Sequence, residues 1–209
     1  DGMKADFILK FIMKNRFLSI VCITISMIAF CSNKVYAQSK FHFDIDYHYN
    51  LGLSTSNTNG SGHWGRGDYK MGGNSIHFTG RYDVSDKFST GLGFGWDRYT
   101  EFDYNTLPIF ATLRYKPIKT LKNAYCFTDL GYGIKPEDTY NSGFLMNLGI
   151  GYTKMFSAHF GLNFQIAYNY KIFDDGIMSL QSDEKGNNLD CEYDDTIRHS
   201  ISFGVGVTF

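Results

Sequence analysis

Few residues in this 209-residue chain are of a type and spacing that could do chemistry. His199 and Ser200 are adjacent within a run of alternating residues, Ile197 to Phe209. Successive side chains of a strand project to opposite faces, so these two cannot work as a base and its nucleophile. Ser157 and His159 do share a parity, but they sit at a short turn, where polar residues have a local reason to be. Nucleophile, base and orienting acid must converge for covalent catalysis, and no such set is expected here. His42, His48 and His77 fall on one polar face with Asp44 and Asp46, a grouping whose residue types could ligate a cation. Packing and mutual hydrogen bonding account for them more simply, so neither a metal nor a cofactor is assigned. The acidic stretch holding Asp174, Asp175, Asp183, Glu184, Asp190, Glu192, Asp194 and Asp195 lacks the spacing and glycine of a calcium-binding hand. It reads as solvated loop charge, or as a loose divalent-cation surface. Arg66-Gly67-Asp68 spells an integrin-binding tripeptide, within a glycine-rich segment where three such residues also arise by chance.

The elements that must position these residues are visible as alternation. From Lys40 to Ser54 the apolar residues are Phe41, Phe43, Ile45, Tyr47, Tyr49, Leu51 and Leu53, with His42, Asp44, Asp46, His48 and Asn50 between them. A strand carrying this pattern has one greasy face and one polar face. The pattern recurs around Ile76 to Tyr82, Leu92 to Trp96, Leu107 to Tyr115 and Leu130 to Ile134. It returns over Phe144 to Tyr152, Phe160 to Tyr170 and Ile197 to Phe209, which makes about eight strands. Their connections alternate in length. Thr55 to Asp68, Thr100 to Thr106, Lys135 to Ser142 and Phe173 to Thr196 are longer; Ser85 to Lys87, Pro117 to Asn123 and Phe156 to Ala158 are shorter. Long loops on one side and short turns on the other mark an up-and-down transmembrane barrel.

Composition narrows the choice further. The net charge is -1, which offers no basic surface for nucleic acid. Phe17 to Phe30 is almost wholly apolar, is preceded by Lys14 and Arg16, and is followed by Val35-Tyr36-Ala37-Gln38. A basic segment, a short apolar segment and small residues at a cut site make a secretory signal. The expected division is residues 1–37 as signal peptide with an N-terminal extension, natural initiation at Met13 being one option, and residues 38–209 as a single domain. The apolar run is shorter than a membrane-spanning helix needs, and Phe30 before Cys31 does not suit lipidation. Cleavage leaves Cys126 and Cys191, enough for one bridge and no disulfide framework. With no spanning helix in the mature part, a membrane would have to be crossed by strands.

Which face points inward follows from size. The polar face carries many glycines and small residues, whereas the other is bulky and aromatic. A soluble barrel hides its apolar face inside, but a narrow lumen needs small side chains and lipid accepts large ones. The fold expected is therefore all-β: a closed antiparallel up-and-down barrel of about eight strands. A first hairpin turning near the middle of its long loop is expected to set Asp44 opposite Arg81 and His48 opposite His77, all facing the lumen. Lumen carboxylates are costly unless paired. Asp44, Asp46, Arg81, Arg114 and Asp129 are accordingly expected to form a salt-bridge network that plugs the interior.

The chain resembles the eight-stranded outer-membrane barrels of Gram-negative bacteria, the OmpA/OmpX-like and "porin family" β-barrel domains. The resemblance is carried by Thr106 to Tyr115 and above all by Phe203-Gly204-Val205-Gly206-Val207-Thr208-Phe209, with its terminal aromatic residue. It implies export to the cell outer membrane, contact with outer-membrane lipid and lipopolysaccharide, and recognition of Phe209 by the barrel-assembly machinery. It also implies a structural or surface-interaction role, adhesion-like and without catalysis, toward a surface ligand that leaves no motif. A narrow channel for ions or very small solutes is the first alternative, and a lipid-modifying enzyme the second. Lipid A deacylase barrels are similar in size, but they set His and Ser two apart on a lipid-facing strand, a spacing that His199-Ser200 lacks.

Overall fold

The computed structural model describes residues 40–58, 62–100, 105–118, 120–121, 123–137, 140–157, 159–182 and 189–209, with side chains described for all of these but 175–182 and 189–193. Residues 1–37, expected to be the signal peptide, lie outside them. The strands are β1 (Phe41–Asn57), β2 (His63–Gly65), β3 (Gly72–Asp83), β4 (Phe88–Tyr99), β5 (Asn105–Tyr115), β6 (Ala124–Ile134), β7 (Gly143–Ser157), β8 (Phe160–Ser182) and β9 (Leu189–Thr208). β2 is a short flap on the upper part of β1, pairing Ser54 to Ser56 with Gly65 to His63. The other eight form a continuous antiparallel ladder in sequence order, and β1 pairs with β9 to close it. Closure removes both sheet edges, the liability of any long open sheet. The closing ladder runs from Asp44↔Thr208 to Asn57↔Thr196. At its foot, Phe43 and Phe209 exchange two backbone hydrogen bonds of 3.2 and 2.8 Å.

Alternation is realised as a wall with two faces. Phe41, Phe43, Leu92, Phe94, Ile150 and Val205 are among the large apolar side chains that point outward and remain exposed. Their neighbours Asp44, Asp46, Thr79, Thr112, Gln165 and Ser202 point inward and are buried. The strands thus turn most of their grease away from the interior, the reverse of a soluble barrel. Leu53 is a bulge against β9, where Gly52 pairs with Ser200 and Ser54 with His199. One extra residue inverts facing, so Thr55 and Asn57 are the buried residues beyond it.

Two expectations need correction. In the β1–β3 ladder Asp44 faces Thr79, Asp46 faces His77, His48 faces Ser75, and Arg81 faces His42. The ladder is symmetric about positions 61 and 62, whereas the expected pairs belong to a hairpin centred one residue later. The resulting slip is two places along β3, which preserves the inward face of every residue. Second, the segment from Phe173 to Thr196 is not one long loop. β8 and β9 continue past the rim as a hairpin, pairing Ile177↔Asp194 through Ser182↔Leu189 beyond an irregularity at Phe173/Ile177. Its density of aspartates had disguised this stretch as a loop. Cys126 is free and exposed, low on β6 beside Tyr115 of β5. Cys191 lies in the distal hairpin opposite Leu180. The two positions lie toward opposite ends of the barrel ladder.

Candidate functional site: the barrel interior

The interior is filled in two charged storeys. The first lies toward the short turns. Asp44 comes from β1, and its side chain is wholly buried. Arg81 of β3 reaches it diagonally, Nε donating to Oδ2 at 3.1 Å and Nη2 to Oδ1 at 3.4 Å. Long side chains span such diagonal neighbours, so the slip of two places leaves the pair intact. Arg114 of β5 crosses the lumen to the same carboxylate at 3.0 Å and lies 3.9 Å from Asp46. Asn163 of β8 donates to Asp44 at 3.4 Å and to Asp46 at 3.3 Å. Arg81 also reaches Asp83 at 3.3 Å, and Asp83 in turn pairs with His42 at 3.1 Å. Arg114 stacks over the Tyr125 ring at 4.8 Å, and the Tyr125 hydroxyl accepts from Gln165 at 3.1 Å. Charges on three strands, with the Asn163 amide from a fourth, are thus tied across the width of the barrel.

The second storey lies toward the long connections. Lys171 of β8, wholly buried, donates to Asp97 of β4 and to the Thr106 hydroxyl of β5. His77 of β3 holds the other oxygen of Asp97 at 2.9 Å. Tyr99 and Phe173 close over this group edge to face, 5.3 Å apart, with Lys171 and Arg198 set over the Tyr99 ring. Between the storeys His48 and His77 lie 5.1 Å apart, His48 sharing a 3.3 Å contact with the Ser202 hydroxyl.

Of the five residues expected in the network, the structure brings Asp44, Asp46, Arg81 and Arg114 together. Asp129 is buried nearby but takes its hydrogen bond from Asn147, at 3.1 Å, which Asn169 bonds in turn. It belongs to a polar ladder on β6–β8, because its strand stands across the lumen from β1. Sequence reasoning missed Lys171, Asp97 and Thr106 altogether. Asp97 and Lys171 occupied inward positions in the alternation, which was the available signal, whereas Thr106 fell in the connection Thr100 to Thr106. Missed too were the inward aromatic residues: Tyr99, Phe110, Tyr125, Phe127 and Phe173 are all buried. Their room is made by glycines on adjoining strands. A Cβ on Gly149 would lie 2.8 Å from the Phe127 ring, one on Gly204 2.7 Å from the His48 ring, and one on Gly73 2.6 Å from the Tyr99 ring. Glycine on the inward face therefore marks a place where a large neighbour leans in, not an open bore.

No group of three or more metal-ligating side chains occurs among the described residues. Ser157 and His159 meet only through the backbone N–H of His159, 3.3 Å from the Ser157 hydroxyl, a turn contact. No family model and no curated protein matches the sequence. Among solved structures the chain is similar to Neisserial surface protein A (NspA), at 14% identity over 82% of this chain and 98% of that one, TM-score 0.45. It is similar to the outer membrane protein OprG from Pseudomonas aeruginosa at 13% identity, over 82% and 98% of the two chains, TM-score 0.37. A de novo designed transmembrane β-barrel is 11% identical over 84% of this chain and 100% of that one, TM-score 0.39. The architecture itself rests on the strand ladders described above.

Proposed function

We propose that this protein is a small integral barrel of a bacterial outer membrane, with a sealed interior and a surface-interaction role exercised by its outer loops. The observation that carries the membrane assignment is the outward face. Leu92 is 71% exposed, Ile150 62%, Phe94 61% and Ile109 53%, with comparable residues on every barrel strand. A water-soluble protein does not leave an apolar belt of this extent open, and a closed barrel is one of the two folds that can cross a bilayer with its backbone satisfied. Partners on this reading are outer-membrane lipid, lipopolysaccharide and, through the strand ending at Phe209, the assembly machinery. The sealed interior is supported by the two charged storeys and by the aromatic rings seated over glycines. Eight strands enclose a space that side chains can fill, and here they do, which favours a scaffold over a channel. Ser202 meets His48 in the lumen at 3.3 Å, but no carboxylate among the described residues hydrogen-bonds the His48 ring to orient it, and the role proposed is non-catalytic.

The test is cell fractionation followed by electrical recording. The protein should appear in the outer-membrane fraction, start at Gln38 on N-terminal sequencing, and produce no stepwise conductance in planar bilayers. Recovery as a soluble periplasmic protein refutes the membrane assignment. Reproducible single-channel steps refute the sealed interior.

A further inference from the structure

The surface-interaction reading acquires a specific candidate on the first long connection. β2 pins this connection to β1, and two further contacts stiffen its base. The Asn57 N–H donates to the Gly62 carbonyl at 3.1 Å, and the Thr58 N–H donates to the Asp195 carbonyl of the β8–β9 hairpin at 2.9 Å. The Trp64 ring lies over Gly62, where a Cβ would come within 2.7 Å of its Cζ2. From this base Gly65 to Asp68 make one tight turn. It is closed by the Asp68 N–H donating to the Gly65 carbonyl at 3.0 Å, and by the Gly65 N–H donating to Asp68 Oδ2 at 2.8 Å. Arg66 and Gly67 form the corner, and Arg66, Gly67 and Asp68 are all exposed. A Cβ at Gly67 would meet nothing within 4 Å. A guanidinium and a carboxylate are thus displayed on a pinned corner, separated by one residue without a side chain.

We propose that this turn is a docking point for a receptor that carries a divalent cation beside an acidic cleft, the chemistry that reads Arg-Gly-Asp. This rests on the surface-exposed barrel proposed above and names its partner class. The Gly65 amide fixes Asp68 Oδ2, while Oδ1 takes no hydrogen bond among the described residues. A hard cation short of one oxygen ligand completes its shell with such a carboxylate oxygen. The Arg66 guanidinium pairs in fork geometry with carboxylates in the cleft, and Gly67 lets the two surfaces close without a steric block. Because the turn is held before binding, little ordering entropy is lost on docking.

The experiment uses the folded full barrel in lipid nanodiscs and, as probe, a purified integrin ectodomain that binds Arg-Gly-Asp, in Mn²⁺ buffer on a biosensor. Saturable binding is expected, abolished by EDTA and displaced by a soluble Arg-Gly-Asp peptide. Asp68→Asn keeps an oxygen for the Gly65 amide, and hence the turn, but gives the cation a poorer ligand. It should weaken binding about tenfold or more, equivalent to about 1.4 kcal/mol. Arg66→Lys, which loses the fork, should weaken it as well. Absence of cation-dependent binding by the wild-type barrel, or unchanged binding by Asp68→Asn, overturns the proposal. Since the barrel is folded before the assay, those results count against the docking turn alone. Mislocalisation in cells counts against the membrane barrel instead.

Discussion

Arg114→Gln should destabilise the barrel more than Arg81→Gln, although both arginines touch the same carboxylate. Asp44 is held at 3.0 Å by Arg114 and at 3.1 Å by Arg81. When Arg81 is removed, Asp44 keeps Arg114, and the loss is that of charge-assisted hydrogen bonds, about 1.5–3 kcal/mol. When Arg114 is removed, Asp44 keeps Arg81, but Asp46 loses the guanidinium 3.9 Å away and is left with the Asn163 amide at 3.3 Å. Stranding a buried charge in this way costs about 3–5 kcal/mol. Asp44→Asn should fall between the two, because Arg81 retains Asp83 at 3.3 Å and Arg114 retains Asp46. In the cycle pairing Asp44→Asn with Arg114→Gln, the double variant should recover about 1–3 kcal/mol relative to the sum of the singles. The assay is equilibrium unfolding in urea, in phospholipid vesicles, followed by tryptophan fluorescence. Additivity within about 0.5 kcal/mol, or a larger cost for Arg81→Gln than for Arg114→Gln, would show that the storey is not wired as described.

Lys171→Met should cost about 3 kcal/mol by leaving Asp97 with His77 and the Thr106 hydroxyl, and adding Asp97→Asn should restore part of the loss; a Lys171→Met barrel as stable as wild type in the same urea assay contradicts the second storey. Gly149→Ala should destabilise by about 1–3 kcal/mol, because the new methyl meets the Phe127 ring at 2.8 Å and the Ile166 carbonyl at 2.5 Å. Trimming the ring with Phe127→Leu should relieve only part of this, and full relief would mean that the backbone contact is not limiting. Phe209→Asp places a charge on the outward face of the closing ladder, 6.0 Å ring to ring from Phe160. It should leave a protease-sensitive species in place of the heat-modifiable folded band, and a normal folded band would refute the role given to the terminal strand.

How far the sequence alone determined this protein is clearest strand by strand. In β1 the order Phe41, Phe43, Ile45, Tyr47, Tyr49 against Asp44, Asp46, His48 admits one assignment of faces, because side-chain period is a local property of an extended chain. The number of barrel strands and the shared face of Asp44, Asp46, Arg81 and Arg114 follow from that local rule, and side-chain size then says which face turns inward. Register does not. A slip of two places on β3 alters no facing, so no pattern in the sequence distinguishes Arg81 opposite Asp44 from Arg81 opposite His42; the closed ladder chose. Contacts across the lumen are further still from sequence. Arg114 meets Asp44, and Lys171 meets Asp97, only because closure brings β5 to β1 and β8 to β4. Asp129, equally polar and equally inward, bonds instead to Asn147, its direct partner across the β6–β7 ladder. The inward rings of Phe127 and Tyr99 make the point from the apolar side. Each needs a glycine on the adjoining strand, Gly149 and Gly73, and that complementarity exists only once two distant segments lie side by side.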